Sequence, residues 1–419
     1  MGWPQAIYRV CHKGINLKSL APLPVLVTSL AVAAALLGDA MLYVVMPARP
    51  EFWELSIVHV GILLSANRFI RFFTNPASSF MVRKFGVYAP FKWTLLASLS
   101  VLVAYATSTS FILLLLARCI WGGCWSILRL VSQWIASDLS TEEDMGLNLA
   151  TNASVIRVGS IGGAVFGGVL SDYIGYKVTF MIFAVFTLVS WVVWLRYCNR
   201  SLLTRDHLPV DNSPNFIKLL KDSDIFLLGI SGLAVGIVIT GLMSASLGYF
   251  IRSKFGVEFN FILISITVTS FTGLMLGFKS FAEVFVGPFG GYISDRFGRL
   301  KVLLFSVCVA FVGLLLVGMT DNVLFTTAML LLTFVGGVLL SMQLLPLVGL
   351  IAEKHSRSEV FSVYNTFQDV GSALGPFIGL SLINAQHLPY LYQSCSFLLV
   401  GMVILVILKF RKHFRQISV

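Results

Sequence analysis

Apolar runs of membrane-spanning length, separated by short polar stretches, recur along the whole chain. A bilayer core about 30 Å thick needs roughly 20 apolar residues per helical pass. Twelve segments meet that pattern: 24–46, 57–81, 89–107, 110–136, 146–170, 178–196, 225–250, 260–292, 301–319, 323–351, 361–384 and 389–409. They predict an all-α integral membrane protein. The eighth and tenth segments are long, which predicts tilt or a helical extension beyond the bilayer. The stretch 197–224, rich in Asp, Asn, Ser and Pro, breaks the rhythm and predicts a cytoplasmic linker. It divides the chain into an N-terminal six-helix bundle over 1–196 and a C-terminal one over 225–419.

Composition agrees with the pattern. Hydrophobic residues make up 57% of the 419 and charged residues only 12%, against roughly 25% charged in soluble domains. So little charge cannot cover a water-facing surface, and the outer face is expected to meet lipid. Of the 30 Lys and Arg, twenty fall in the segments on the side of the N-terminus, counting Arg196 with the linker, four fall on the other side, and six lie inside helices. That asymmetry predicts both termini in the cytoplasm, because cytoplasmic loops carry the basic excess. It also accounts for the net charge of +11 without a nucleic-acid partner. The first apolar run is longer than the core of a signal peptide, so it is expected to stay as a helix.

The six cysteines stand far apart with no CxxC pair, so neither a metal site nor a disulfide framework is implied, and no cofactor is expected. Nucleotide-binding GxxxxGK[ST], HExxH and GxSxG patterns are absent. The histidines fall at loops, tails or segment ends. An intramembrane enzyme is therefore not expected.

The two halves repeat. A shift of 212 residues places Gly61, Leu64, Phe69, Phe73, Pro76, Phe85 and Gly86 on Gly273, Leu276, Phe281, Phe285, Pro288, Phe297 and Gly298. The same shift places Gly159, Gly163 and Gly167 on Gly371, Gly375 and Gly379. One offset serving two helix pairs predicts two similar bundles whose polar faces meet at a seam, where a solute can bind.

Several motifs then point to a family. Gly291-Tyr-Ile-Ser-Asp295-Arg296-Phe-Gly298-Arg299-Leu-Lys301, between the eighth and ninth segments, resembles the GxxxDRxGRR cytoplasmic loop of the major facilitator superfamily. Its first-half copy carries Arg83 where the acid stands. Arg118-Cys-Ile-Trp-Gly122 resembles the RxxxG element, whose arginine the family links to proton coupling. Gly159, Gly163 and Gly167 are similar to the GxxxGPxxGG element associated with antiporters, with Ala164 in place of the proline; the eleventh segment keeps the proline at Pro376. Glycines spaced by four also form a stripe for close helix packing.

The resemblance covers essentially the whole chain and implies the superfamily fold, two pseudo-twofold-related six-helix bundles. It implies a secondary active transporter working by alternating access, proton-coupled, with Gly291, Asp295, Arg296, Gly298 and Arg299 as a gating loop. The antiporter-like glycines lean toward export. Uptake of an organic anion or chelator is the alternative, and a non-transporting sensor or assembly protein of the same fold a third. A monomer in a bacterial inner membrane is expected, with a small-molecule substrate, protons and lipid as partners.

Charge inside the bilayer costs roughly 2.5–3.5 kcal/mol per group on insertion scales and marks function. Six cations lie within the segments, Arg68, Arg71, Arg118, Arg129, Arg157 and Lys279, with three acids, Asp39, Glu283 and Asp369. The 212-residue shift lays Arg71 on Glu283 and Arg157 on Asp369. In the superfamily fold the second helix adjoins the eleventh and the fifth the eighth, which predicts the pairs Arg71–Asp369 and Arg157–Glu283. Arg68, Arg118, Arg129 and Lys279 then outnumber Asp39, and that surplus predicts an anionic solute. Asp39 has no base at i±4 on its own helix and is expected to stand alone as a proton site beside Glu283. Asn67, Asn75, Gln133, Asn152, Asn365, Gln368, Tyr43, Trp121 and Trp125 are expected along the same path.

Overall fold

A computed structural model describes residues 21–141, 144–198, 219–351 and 357–416. The linker expected over 197–224 falls for most of its length outside the described residues. The described helices are α1 (Leu23–Ala48), α2 (Ile57–Phe85, interrupted at Ile70), α3 (Tyr88–Thr107), α4 (Phe111–Asp138), α5 (Met145–Tyr173) and α6 (Tyr176–Tyr197). After the linker come α7 (Ser223–Phe255), α8 (Val268–Phe297), α9 (Arg299–Leu316), α10 (Val323–Ile351), α11 (Arg357–Pro376) and α12 (Leu388–Gln416). The middle of α7, Gly236–Met243, is π-helical, and α11 runs on through a π-helical turn, Phe377–Leu382.

Ten of these helices are long and apolar enough to cross a membrane. The other two are more polar: α8 carries Lys279 and Glu283, and α11 carries Asp369 together with Asn365, Thr366 and Gln368. Their charge is affordable only where protein or water covers it. Large apolar side chains such as Phe281, Phe285 and Phe289 point outward and are exposed, which suits lipid and not water. Of those ten, α1 and α7 are the most buried, at 61% and 67% of their apolar windows, and lie toward the centre.

One correction concerns the eighth segment. The expected helical run from 260 starts as a β-hairpin, Glu258–Phe261 against Ile264–Thr267, and the helix begins only at Val268. Polar and apolar residues alternate in both strands, and the apolar ones are aromatic or β-branched, a strand pattern that high apolar content concealed. The extension of α8 lies at its other end, through Phe297.

The glycine stripes set the packing. A Cβ on Gly159 or Gly163 would lie 2.4 Å and 2.3 Å from the Ala33 and Leu37 carbonyl oxygens, and one on Gly167 2.5 Å from Met41 Cβ. So α5 lies backbone to backbone on α1. In the second half, Gly371 and Gly375 bring α11 equally close to Leu233 and Leu242 of α7, and Gly379 meets the Leu242 side chain. The seam is made the same way. Gly168 of α5 and Gly273 of α8 let those helices cross in contact, and Gly61 of α2 fits against Pro376 and Leu380 of α11. The repeat also conserves a turn: Gly86 and Gly298, 212 residues apart in sequence, both take positive φ, 74° and 95°, a conformation that strains residues with a Cβ.

Candidate functional site

The seam encloses a cavity of about 940 Å³, ample for a small organic molecule. Side chains from α1, α2, α4, α5, α7 and α8 line it. The lining runs from Asp39 and Thr240, deep in the bundle, to Arg83, Ser137 and Leu149 at the helix ends on the side expected to be cytoplasmic. The opposite end is sealed across the two halves. There Arg252 of α7 pairs with Glu51 at 2.6 Å and donates to the Ala48 carbonyl at 3.0 Å. Asp172, in the last turn of α5, accepts hydrogen bonds from the hydroxyls of Thr267, Thr269 and Ser270 at the start of α8. Ser381 of α11 donates to the Val58 carbonyl at 3.1 Å.

Five of the six expected helical cations line the cavity, namely Arg68, Arg71, Arg129, Arg157 and Lys279. The sixth, Arg118, is fully buried behind the wall. It pairs with Asp39, and its Nε donates to the Leu63 carbonyl at 3.1 Å. Asn67 Nδ2 adds a contact to Asp39 at 3.3 Å. The expectation that Asp39 stands alone is therefore corrected. Its own helix offers no base, but α4 delivers one from 79 residues away. The same pair removes Arg118 from the predicted surplus of positive charge.

The expected Arg157–Glu283 contact is present at 2.5 Å and joins α5 to α8 across the seam. Lys279, one helical turn before Glu283, pairs with its other oxygen at 3.2 Å. Lys279 therefore does not belong to the expected surplus of unpaired cations, and its i,i+4 spacing from Glu283 is a local signal of the pair. The expected Arg71–Asp369 pair is not formed: no ion pair within 4.0 Å joins them among the described residues. Arg71 instead donates to Asn67 Oδ1 at 2.9 Å and lies 5.6 Å over the Trp125 ring. An acceptor one turn back on its own helix and an aromatic face on α4 hold the guanidinium away from α11. Asp369 acts on Arg68 and Arg71 only at longer electrostatic range.

Arg68 donates from Nε to the Tyr43 hydroxyl at 3.1 Å and lies over its ring. Gln133 and Asn152 line the cavity, whereas Asn75 accepts from Ser126 at 2.7 Å and Trp121 is buried in the core. Asn365 and Gln368 do not line it. The expected gating loop is mostly helical: Asp295 lies in the last turn of α8, is 73% exposed, and forms its ion pair with Arg299, the first residue of α9, at 3.6 Å. A Cβ on Gly291 would meet nothing within 4 Å. Among the described residues, Asp295, Arg296 and Arg299 make no hydrogen bond or ion pair to the first half.

Residues that sequence reasoning missed are those of the sealed end, Glu51, Asp172 and Arg252, and the cavity hydroxyls Thr240 and Ser244. Acids at helix ends look like ordinary interfacial charge. No local signal marks them, because their partners lie in the other half.

A sequence profile described as Major Facilitator Superfamily matches residues 28–376 and again 226–417. Among curated relatives, multidrug resistance protein MdtG of Proteus mirabilis is 24% identical over 268 residues, 64% of this chain and 64% of its own length. The chromaffin granule amine transporter of Homo sapiens is 23% identical over 358 residues, 81% of this chain and 63% of its own. The chain thus spans just under two thirds of the length of these relatives. Among solved structures, a POT family transporter has a TM-score of 0.74 at 10% identity, with 93% of this chain and 96% of that one covered. The nucleoside transporter NupG reaches 0.70 at 12%, covering 91% and 99%. A bacterial homolog of the human lysosomal transporter Spinster, in an inward-facing and unoccupied conformation, reaches 0.66 at 14%, covering 94% and 96%. At these identities the likeness is one of fold.

Proposed function

The chain belongs to the Major Facilitator Superfamily, and from that premise we propose that it is a secondary carrier moving a small organic anion by alternating access. Charge in the cavity carries this reading. Arg68, Arg71, Arg83, Arg129, Arg157 and Lys279 line it against only Asp39 and Glu283, and both acids are already paired. Arg71 is buried with no acid partner within 4.0 Å among the described residues, and an unpaired buried charge is costly. Guanidinium groups grip carboxylate or phosphate through paired hydrogen bonds, so a bound anion offsets that cost. The halves, 1–196 and 225–419, rock about the seam as a monomer, with 197–224 as the tether. A proton on Glu283 would release Arg157 and Lys279 and so couple the seam to pH. Relatives named for multidrug resistance and the packed α1–α5 glycine stripe support export.

Flux in proteoliposomes tests the proposal. Radiolabelled organic anions should exchange, and an imposed pH gradient should drive their accumulation. A carrier that moves hydrophobic cations and ignores anions would refute it.

A further inference from the structure

Apart from Arg83, the cations on the cavity wall fall into two sets. Arg157 and Lys279 flank one carboxylate, Glu283, at 2.5 Å and 3.2 Å. Arg68, Arg71 and Arg129 have no carboxylate within 4.0 Å among the described residues. Their recorded partners are neutral: Tyr43 for Arg68, and Asn67 with the Trp125 ring for Arg71. The first set straddles the seam, Arg157 on α5 and Lys279 on α8. The second belongs wholly to the first half, on α2 and α4.

From this division we infer that the cavity holds two anion subsites and takes a solute with two anionic groups, one gripped by Arg68, Arg71 and Arg129 and the other replacing Glu283 between Arg157 and Lys279. The inference rests on the anion reading above and adds the number and placement of the charges. Glu283 acts as an internal stand-in. It satisfies the seam cations when no solute is bound and yields them to a carboxylate that arrives already anchored at the other set. Anchoring matters because the second contact is then intramolecular, with a high effective concentration. A monoanion lacks that advantage and cannot displace Glu283. The Arg157 side chain is 48% exposed, so a solute can reach it from the cavity, whereas Glu283 is 14% exposed. Arg83, nearer the cavity mouth, attracts anions without belonging to either set.

The test is calorimetric titration of the purified full chain in nanodiscs with butyrate and with the dianions succinate, glutarate and adipate. The expected result is that at least one dianion binds tenfold or more tighter than butyrate, about 1.4 kcal/mol. In Glu283→Gln the seam cations lose their stand-in. Butyrate should then bind with a stoichiometry of two in place of one, and the best dianion should tighten at least fivefold. Dianions no tighter than butyrate in the unaltered protein would overturn the inference and leave the anion reading standing. So would a butyrate stoichiometry that stays at one in a folded Glu283→Gln protein. If none of the four bound, while cationic dyes did, the anion reading itself would fall. The comparison of succinate, glutarate and adipate with butyrate needs no variant, so it stands even where Glu283→Gln does not fold.

Discussion

Replacing Asp172 by Ala should unlatch the sealed end of the cavity. One half-buried carboxylate accepts from three hydroxyls of the other half, Thr267, Thr269 and Ser270. A net hydrogen bond is worth about 1 kcal/mol, and we keep that neutral-group value because partial exposure to solvent weakens the added charge term. Three bonds then amount to about 3 kcal/mol, or about a 150-fold shift in the ratio of sealed to open forms. A state held about 99:1 sealed would become close to evenly divided. Folding should suffer less, because the lost contacts sit at a helix end and not in the core. The assay is labelling of Ala40→Cys, a cavity position, by a membrane-impermeant maleimide applied from the sealed side, in a background without the native cysteines. The rate should rise by one to two orders of magnitude in Asp172→Ala and by less in Thr269→Val, which removes one bond. Equal rates in a folded Asp172→Ala protein would refute the idea that this carboxylate holds the end shut.

Three further outcomes follow from the same geometry. Asp39→Asn leaves Arg118 fully buried without its acid, which should cost about 3–5 kcal/mol and appear as a large fall in detergent Tm or loss of folded protein. Gly163→Ala sets a Cβ 2.3 Å from the Leu37 carbonyl and should destabilise by about 1–3 kcal/mol, whereas Gly291→Ala meets open space and should leave Tm unchanged. Exchanging Arg157 and Glu283 restores the seam pair but sets the new arginine one turn from Lys279. The swap should therefore regain only part of the Tm lost in either single variant, with the remainder returning when Lys279→Gln is added; full recovery without that third change would show that Lys279 takes no part.

The repeat was the most informative signal along the chain. An offset of 212 residues placed charges of opposite sign at matching positions, and one of the two pairs it implied, Arg157–Glu283, is formed. The other is not, because Arg71 has a nearer acceptor in Asn67 and a ring in Trp125. Sequence position carries no record of that competition, which depends on rotamers and on the break in α2 at Ile70. The hairpin at 258–267 was legible by its period-two alternation, yet an apolar-content reading absorbed it into a helix.

What the chain determined by itself is whatever is local in physics: runs of apolar residues that must be helical in lipid because backbone groups have no water to bond, and glycines at turn and stripe positions. The cost of intramembrane charge also identified which side chains must find cover. Tertiary structure alone decided who covers them. Asp39 meets Arg118, and Asp172 meets the α8 hydroxyls, because helix rotation and crossing place them face to face. Those angles follow from how all the packed surfaces fit together, so no window of sequence contains them.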